Sequence, residues 1–146
     1  MKNSWYLVAL MAGAVLPFQA GLNARLAKSI ANPVYASMIS FIVGAVALAF
    51  YAMVSKQQVS IEGLKSAPAY VWIAGALGAF YVTAVILAFP KIGPALTFGL
   101  VVAGQMTISI LMDHFKLLGA QPNPINTYKI IGLLLVVTCV VLIRKF

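Results

Sequence analysis

Long apolar runs broken by short polar or proline-bearing punctuation set the pattern of this chain. The runs fall at residues 5–27, 33–54, 69–89, 94–115 and 127–143. At about 1.5 Å per residue, each of the first four is long enough to cross a hydrocarbon core of about 30 Å. The fifth is shorter, and Tyr128, Lys129, Arg144 and Lys145 can extend it by snorkelling from its ends. None of the runs alternates with period two. Backbone groups in lipid must find partners within their own segment, so the runs predict helices and exclude strands. The expected fold is all-α and membrane-integral, a single domain of five transmembrane helices with termini on opposite sides.

The punctuation supports that division. Asn32-Pro33 reads as an N-cap followed by a proline at the first helical position, where its missing N–H costs nothing. Residues 55–67, with Lys56, Gln57, Gln58, Glu62 and Lys65, form the one long polar connection. Pro68 opens the third run, which is expected to end at Phe89-Pro90, and Pro94 opens the fourth. The first run, following Lys2, has the outline of a signal peptide. Phe18, however, falls where a cleavage site wants a small residue, so an uncleaved first helix is expected.

Composition narrows the class. Hydrophobic residues make up 63% of the 146 positions and charged residues 8%, with a mean hydropathy of +1.02. A soluble domain carries roughly 45–50% apolar and about 25% charged residues. Too little polar surface exists to cover a water-facing globule. A soluble enzyme, a disordered chain and a disulfide scaffold are excluded, and the lone Cys139 can form no intrachain bridge.

The net charge of +8 sets ten Lys and Arg against Glu62 and Asp113 alone. The bases stand singly between apolar runs, where helix ends meet headgroups, and form no stripe that would read nucleic acid. Lys2, Lys56, Lys65, Lys116 and Lys129 fall on the N-terminal side; Arg25, Lys28, Lys91, Arg144 and Lys145 fall on the other. The positive-inside rule therefore gives no orientation. A misplaced boundary would produce the same balance. The reading with more content is that the chain inserts both ways up and pairs antiparallel with itself.

Catalytic chemistry finds no support. A single Asp cannot form an aspartate pair, no Ser sits in a nucleophile elbow, and one His with one Cys cannot build a zinc site. No enzyme, metal or cofactor is expected. Polar residues inside the runs say more. Gln19 and Asn23 are four apart and share a helix face, and Gln105, Ser109 and Asp113 repeat that spacing within an arc of about 80°. Gln105 lies about 16 Å along its helix, near the bilayer midplane. Ser37, Ser40 and Gly44 form a further stripe, and Tyr81 sits at mid-height in the third run. Interhelical hydrogen bonding is one reading of these groups. The other is a polar cavity with Gln19, Asn23, Gln105, Ser109, Ser40 and Tyr81 on its walls. Ala9, Gly13 and Gly21, then Gly75 and Gly78, then Gly99, Ala103 and Thr107 are small residues that let backbones approach, and Pro17 can kink the first helix.

No acidic residue lies at mid-membrane, which argues against a cationic drug held by a buried carboxylate. Asp113 and His114 near a membrane end are the candidates for coupling, since histidine as a class titrates near neutral pH. Arg25 and Asp113 belong to opposite faces of one chain. In an antiparallel dimer Arg25 of one copy would share a face with Asp113 of the other, as a gate pair.

Several strings together resemble the YdcZ-type five-helix family of the drug/metabolite transporter superfamily. They are residues 19–26 (QAGLNARL), residues 40–44 (SFIVG), Gly75 with Gly78, Tyr81-Val82, Gly104-Gln105, and Asp113-His114-Phe115 with Leu117-Leu118-Gly119. Lys116 stands where the resemblance implies a glycine. The resemblance implies a small exporter of the bacterial inner membrane, half of an inverted-repeat transporter whose larger relatives join two five-helix halves. An odd number of spans makes a duplicated half inverted, with the site between halves near the midplane. The expectation is an antiparallel homodimer in the lipid bilayer that moves a small polar or amphipathic metabolite by alternating access. A small channel and a non-transporting accessory subunit remain alternatives.

Overall fold

Asn32 does two jobs at the first turn of the chain. In the computed structural model, which describes residues 2–146 with side chains from residue 4 onward, its N–H donates to Ala27 O at 3.0 Å, closing α1 (Lys2–Ser29). Its Oδ1 accepts from the N–H groups of Val34 at 3.0 Å and Tyr35 at 3.1 Å, opening α2 (Pro33–Val54) with Pro33 in the first turn. Ala31 between them takes the left-handed conformation, φ 54°, the turn that normally closes a Schellman motif. The same device recurs at the end of α2. There Lys56 has φ 52° and Gln57 N–H donates to Ala52 O at 2.9 Å. The side chain of Lys2 lies outside the described residues.

The polar connection after α2 is not wholly irregular. Ser60 caps a short helix, α3 (Ile61–Ser66), by accepting from Gly63 N–H at 3.1 Å, with Glu62 in the first turn and Lys65 in the last. Those charges oppose the helix dipole in the favourable sense. A 3-10 turn over Ala69–Trp72 then leads into α4 (Ile73–Ile92). The helix continues through Pro90, past the expected stop. A proline so near a helix end forfeits a single ladder bond, so the helix survives it. Gly93, with φ 79°, makes the break before α5 (Pro94–Phe115). Lys116 caps α5 in the left-handed region, φ 55°. Asn126 Oδ1 accepts from Lys129 N–H at 2.9 Å to start α6 (Thr127–Lys145). Likewise α1 runs on through Pro17. Among the described residues there is no strand.

Among the described residues, five helical stretches are long and apolar enough to cross a membrane: Ser4–Ser29, Pro33–Val54, Ala69–Ile92, Pro94–Phe115 and Thr127–Lys145. They fall into two compact units, Met1–Lys91 and Ile92–Phe146. In the first unit α1 and α2 form a hairpin, and α4 joins them through side chains. A β-carbon placed on Gly21 would lie 3.5 Å from the Phe89 ring, and one on Gly78 would lie 3.4 Å from the Phe41 ring. Between α2 and α4 the Ser37 and Thr83 hydroxyls hydrogen-bond at 2.8 Å. In the second unit α5 packs on α6 at Gly99, where an added β-carbon would lie 3.1 Å from Val140 Cγ2. Gly13 and Gly75 have nothing within 4 Å of such a β-carbon. Close packing therefore accounts for Gly21, Gly78 and Gly99 and not for these two.

Most large apolar side chains face outward, Leu10, Phe18, Leu22 and Phe80 among them, while the buried positions are small or polar (Ala20, Ala36, Asn23, Ser37 and Thr97) beside Val85, Ile86 and Val140. Apolar patches of that extent aggregate in water. In lipid they carry no penalty, and packing relies on small residues and hydrogen bonds.

Candidate functional site

Hydroxyl and amide side chains in membrane helices either find a protein partner or stay open to something else. Several are satisfied locally. The Oγ1 groups of Thr97, Thr107 and Thr138 donate to the carbonyls of Gly93 at 2.7 Å, Ala103 at 2.8 Å and Leu134 at 2.8 Å. Ser37, expected as part of a polar stripe, bonds both Pro33 O at 3.0 Å and Thr83, and so is interhelical glue. Gln19, Asn23, Ser40, Tyr81, Gln105 and Ser109 belong to the other group. Among the described residues, none of their side chains has a hydrogen-bond partner.

Two of these meet in one place. A cleft of about 330 Å³ in the first unit is lined by Gln19 of α1, Ser40, Phe41, Gly44 and Leu48 of α2, and Val82 of α4. The lining is apolar apart from the Gln19 amide and the Ser40 hydroxyl. Ser40, Gly44 and Leu48 recur at four-residue steps and so present one face of α2. Gly44 has open space where a side chain would project, and Phe41 is held over Gly78. One turn beyond Gln19, Asn23 is 7% exposed. Among the described residues no enclosed side-chain nitrogen or oxygen lacks a partner, so what remains open of Asn23 includes its amide. Tyr81, next to Val82, is half-buried. The cleft thus combines apolar walls with a few convergent polar groups, the usual make-up of a small-molecule site.

The remaining candidates lie elsewhere. Arg25, exposed on α1, forms no ion pair among the described residues. In the second unit Gln105 and Ser109 are exposed on α5, one turn apart. At the end of α5, Asp113 is held by Lys129, Oδ2 to Nζ at 3.5 Å. The same ammonium donates to Asn123 O at 2.6 Å. His114 Nδ1 accepts from Ile125 N–H at 3.2 Å, and Asn123 N–H donates to Asp113 O at 3.3 Å. Together these bonds clamp the α5–α6 loop onto the helix end. Lys129 was legible only as a snorkelling cation, and its role here depends on the loop folding back. Among the described residues no group of three or more His, Cys, Asp or Glu could hold a metal ion.

Exposed apolar side chains and five helices long enough to span define a multi-pass integral membrane protein, and its cleft, apolar but for the Gln19 amide and the Ser40 hydroxyl, has the make-up of a small-molecule site. Residues 4–142 match the family DMT_YdcZ, described as "Putative inner membrane exporter, YdcZ". The chain belongs to this family, and it is a multi-pass protein of the inner membrane. Comparison with curated proteins and with solved structures gave no match.

Proposed function

We propose that this chain is one half of an exporter for a small polar or amphipathic solute, working by alternating access as an antiparallel homodimer. The observation that carries the reading is the set of unpartnered polar groups in the first unit. Gln19 and Ser40 open into the cleft, and Asn23 lies one turn away, all without protein partners. A polar group left unsatisfied in hydrocarbon is costly. These groups are therefore matched to a ligand that hydrogen-bonds, while Phe41, Leu48 and Val82 accept its apolar part.

Gln105 and Ser109 on α5, equally unpartnered, extend the substrate-contacting set, and Tyr81 supplies a further hydroxyl. An odd number of spans makes a half duplicated in tandem inverted; here a second copy takes the place of that half, and the balanced Lys and Arg counts allow one sequence to insert both ways. In that dimer Arg25 of one copy shares a membrane face with Asp113 of the other and exchanges with Lys129 for its carboxylate, with His114 beside it as the coupling group. Charge reversal at both Arg25 and Asp113 then rescues what either single reversal abolishes.

The test of the cleft is export from cells that express the chain, read as the depletion of intracellular small molecules by mass spectrometry. Each interhelical-scale hydrogen bond in a membrane contributes roughly 0.6–2 kcal/mol, so Gln19→Leu weakens the depletion about 3- to 30-fold at equal protein level. Unchanged depletion with Gln19→Leu and Asn23→Leu combined rules out the cleft. Solute flux that never saturates and dissipates an imposed gradient points to a channel instead.

A further inference from the structure

A second groove, of about 410 Å³, runs between α5 and α6 within the second unit. Ile92, Leu100 and Ala103 line one side; Val137, Val140 and Arg144 line the other. Gly99 and Val140 meet closely enough to close its floor, so it is a furrow in the surface and not a gap between helices. Arg144 is the one charged residue in the lining. It lies in the last turn of α6, at the end where Ile92 and Gly93 precede α5. Neighbouring Lys145 is not part of the lining, and its Nζ lies 5.5 Å from the centre of the Phe146 ring. Among the described residues Arg144 has no acidic partner. Asp113, the acid of this unit, is paired with Lys129 at the opposite end of the hairpin.

The length of the groove carries the argument. From the start of α5 to Ala103 is about 14 Å of helix, and from Arg144 back to Val137 about 10 Å. Half of a hydrocarbon core of about 30 Å is one leaflet. The groove therefore starts at headgroup level with a guanidinium and stops near the midplane with Ala103 and Val137. A helix from a second copy would cross both leaflets, about twice the depth this groove spans. A single lipid tail has the right reach, and guanidinium is the side chain best suited to a phosphate above it.

We infer that this groove is a binding site for one acyl chain of an anionic phospholipid, with the phosphate held by Arg144. The site is independent of the export reading, because its readout is bound lipid and not flux. The full chain is placed in bilayer discs of mixed phosphatidylglycerol and phosphatidylcholine, and the lipid retained on it is counted by native mass spectrometry. One basic side chain near a membrane surface is worth about 1 kcal/mol toward anionic lipid. Arg144→Gln is therefore expected to lower the preference for phosphatidylglycerol about fivefold, whereas Lys145→Gln changes it less than twofold. Ala103→Phe fills the furrow from its half-buried wall and releases the retained lipid of either headgroup. Val137→Phe does the same from the other helix, and thermal unfolding checks that both variants remain folded. An unchanged preference in Arg144→Gln, an equal loss in Lys145→Gln, or lipid still retained by both folded phenylalanine variants overturns the assignment.

Discussion

Ser37 and Ser40 lie three residues apart on α2, yet their hydroxyls have opposite fates. Ser37 is 3% exposed and bonded to Thr83, whereas Ser40 faces the cleft without a partner. Their spacing marks both as one polar stripe. What separates them is Thr83, contributed by a helix far along the chain, and no local pattern announces that meeting. Ser37→Ala and Thr83→Val should each lower the unfolding temperature in detergent, with a coupling of about 0.6–2 kcal/mol in the double-mutant cycle. Ser40→Ala should leave that temperature unchanged. Gly44 gives a sharper separation of stability from transport. A β-carbon there meets nothing within 4 Å, so Gly44→Val projects into the cleft without disturbing packing. Export should fall at least tenfold while thermal stability stays within about 0.5 kcal/mol of the parent. A stable variant with full export would remove the cleft from the substrate path.

Helix ends are the elements whose chemistry the sequence announces best. Asn32-Pro33 at the start of α2 is an N-cap and a first-turn proline, and the structure builds both. Less legible are the stops that use no glycine, for left-handed Ala31, Lys56 and Lys116 have no local signature. Lys116 is the informative case. The family resemblance implies glycine there, and φ 55° is a conformation in which a side chain is penalised. The penalty is accepted because the loop beyond is clamped from both sides by Lys129 on Asp113 and Asn123 and by Ile125 on His114. Lys116→Gly should therefore raise stability by about 1 kcal/mol, measured by thermal unfolding. His114→Ala removes the acceptor for Ile125 N–H and should cost about 1 kcal/mol. It should also speed proteolysis within residues 117–126, where Lys116→Gly should not. The short α3 and the passage of α4 through Pro90 leave no local signature in the sequence. A six-residue helix shows too few turns for periodicity to register, and a terminal proline breaks too little to end a helix.

For the whole molecule, the spans were readable because lipid leaves the backbone one option and because hydropathy is a local property. Division into two compact units was not readable, since it depends on which small residues meet. Gly21, Gly78 and Gly99 find neighbours while Gly13 and Gly75 do not, though all are glycines in apolar helices. Orientation is the property at this scale that the charges leave undecided, and that indecision can be tested directly. Lys and Arg balance at five on each side by the expected topology, and orientation follows such counts in short loops. Gln57→Lys with Gln58→Lys makes the count seven against five, and Lys56→Gln with Lys65→Gln makes it three against five. A reporter fused after Phe146 should then signal from opposite sides in the two variants and from both sides in the parent. Neither variant alone can supply an inverted partner, so each should export poorly, and co-expression should restore activity because one provides the flipped half the other lacks. Full export by either variant alone, with its reporter confined to one side, would mean that copies in a single orientation suffice.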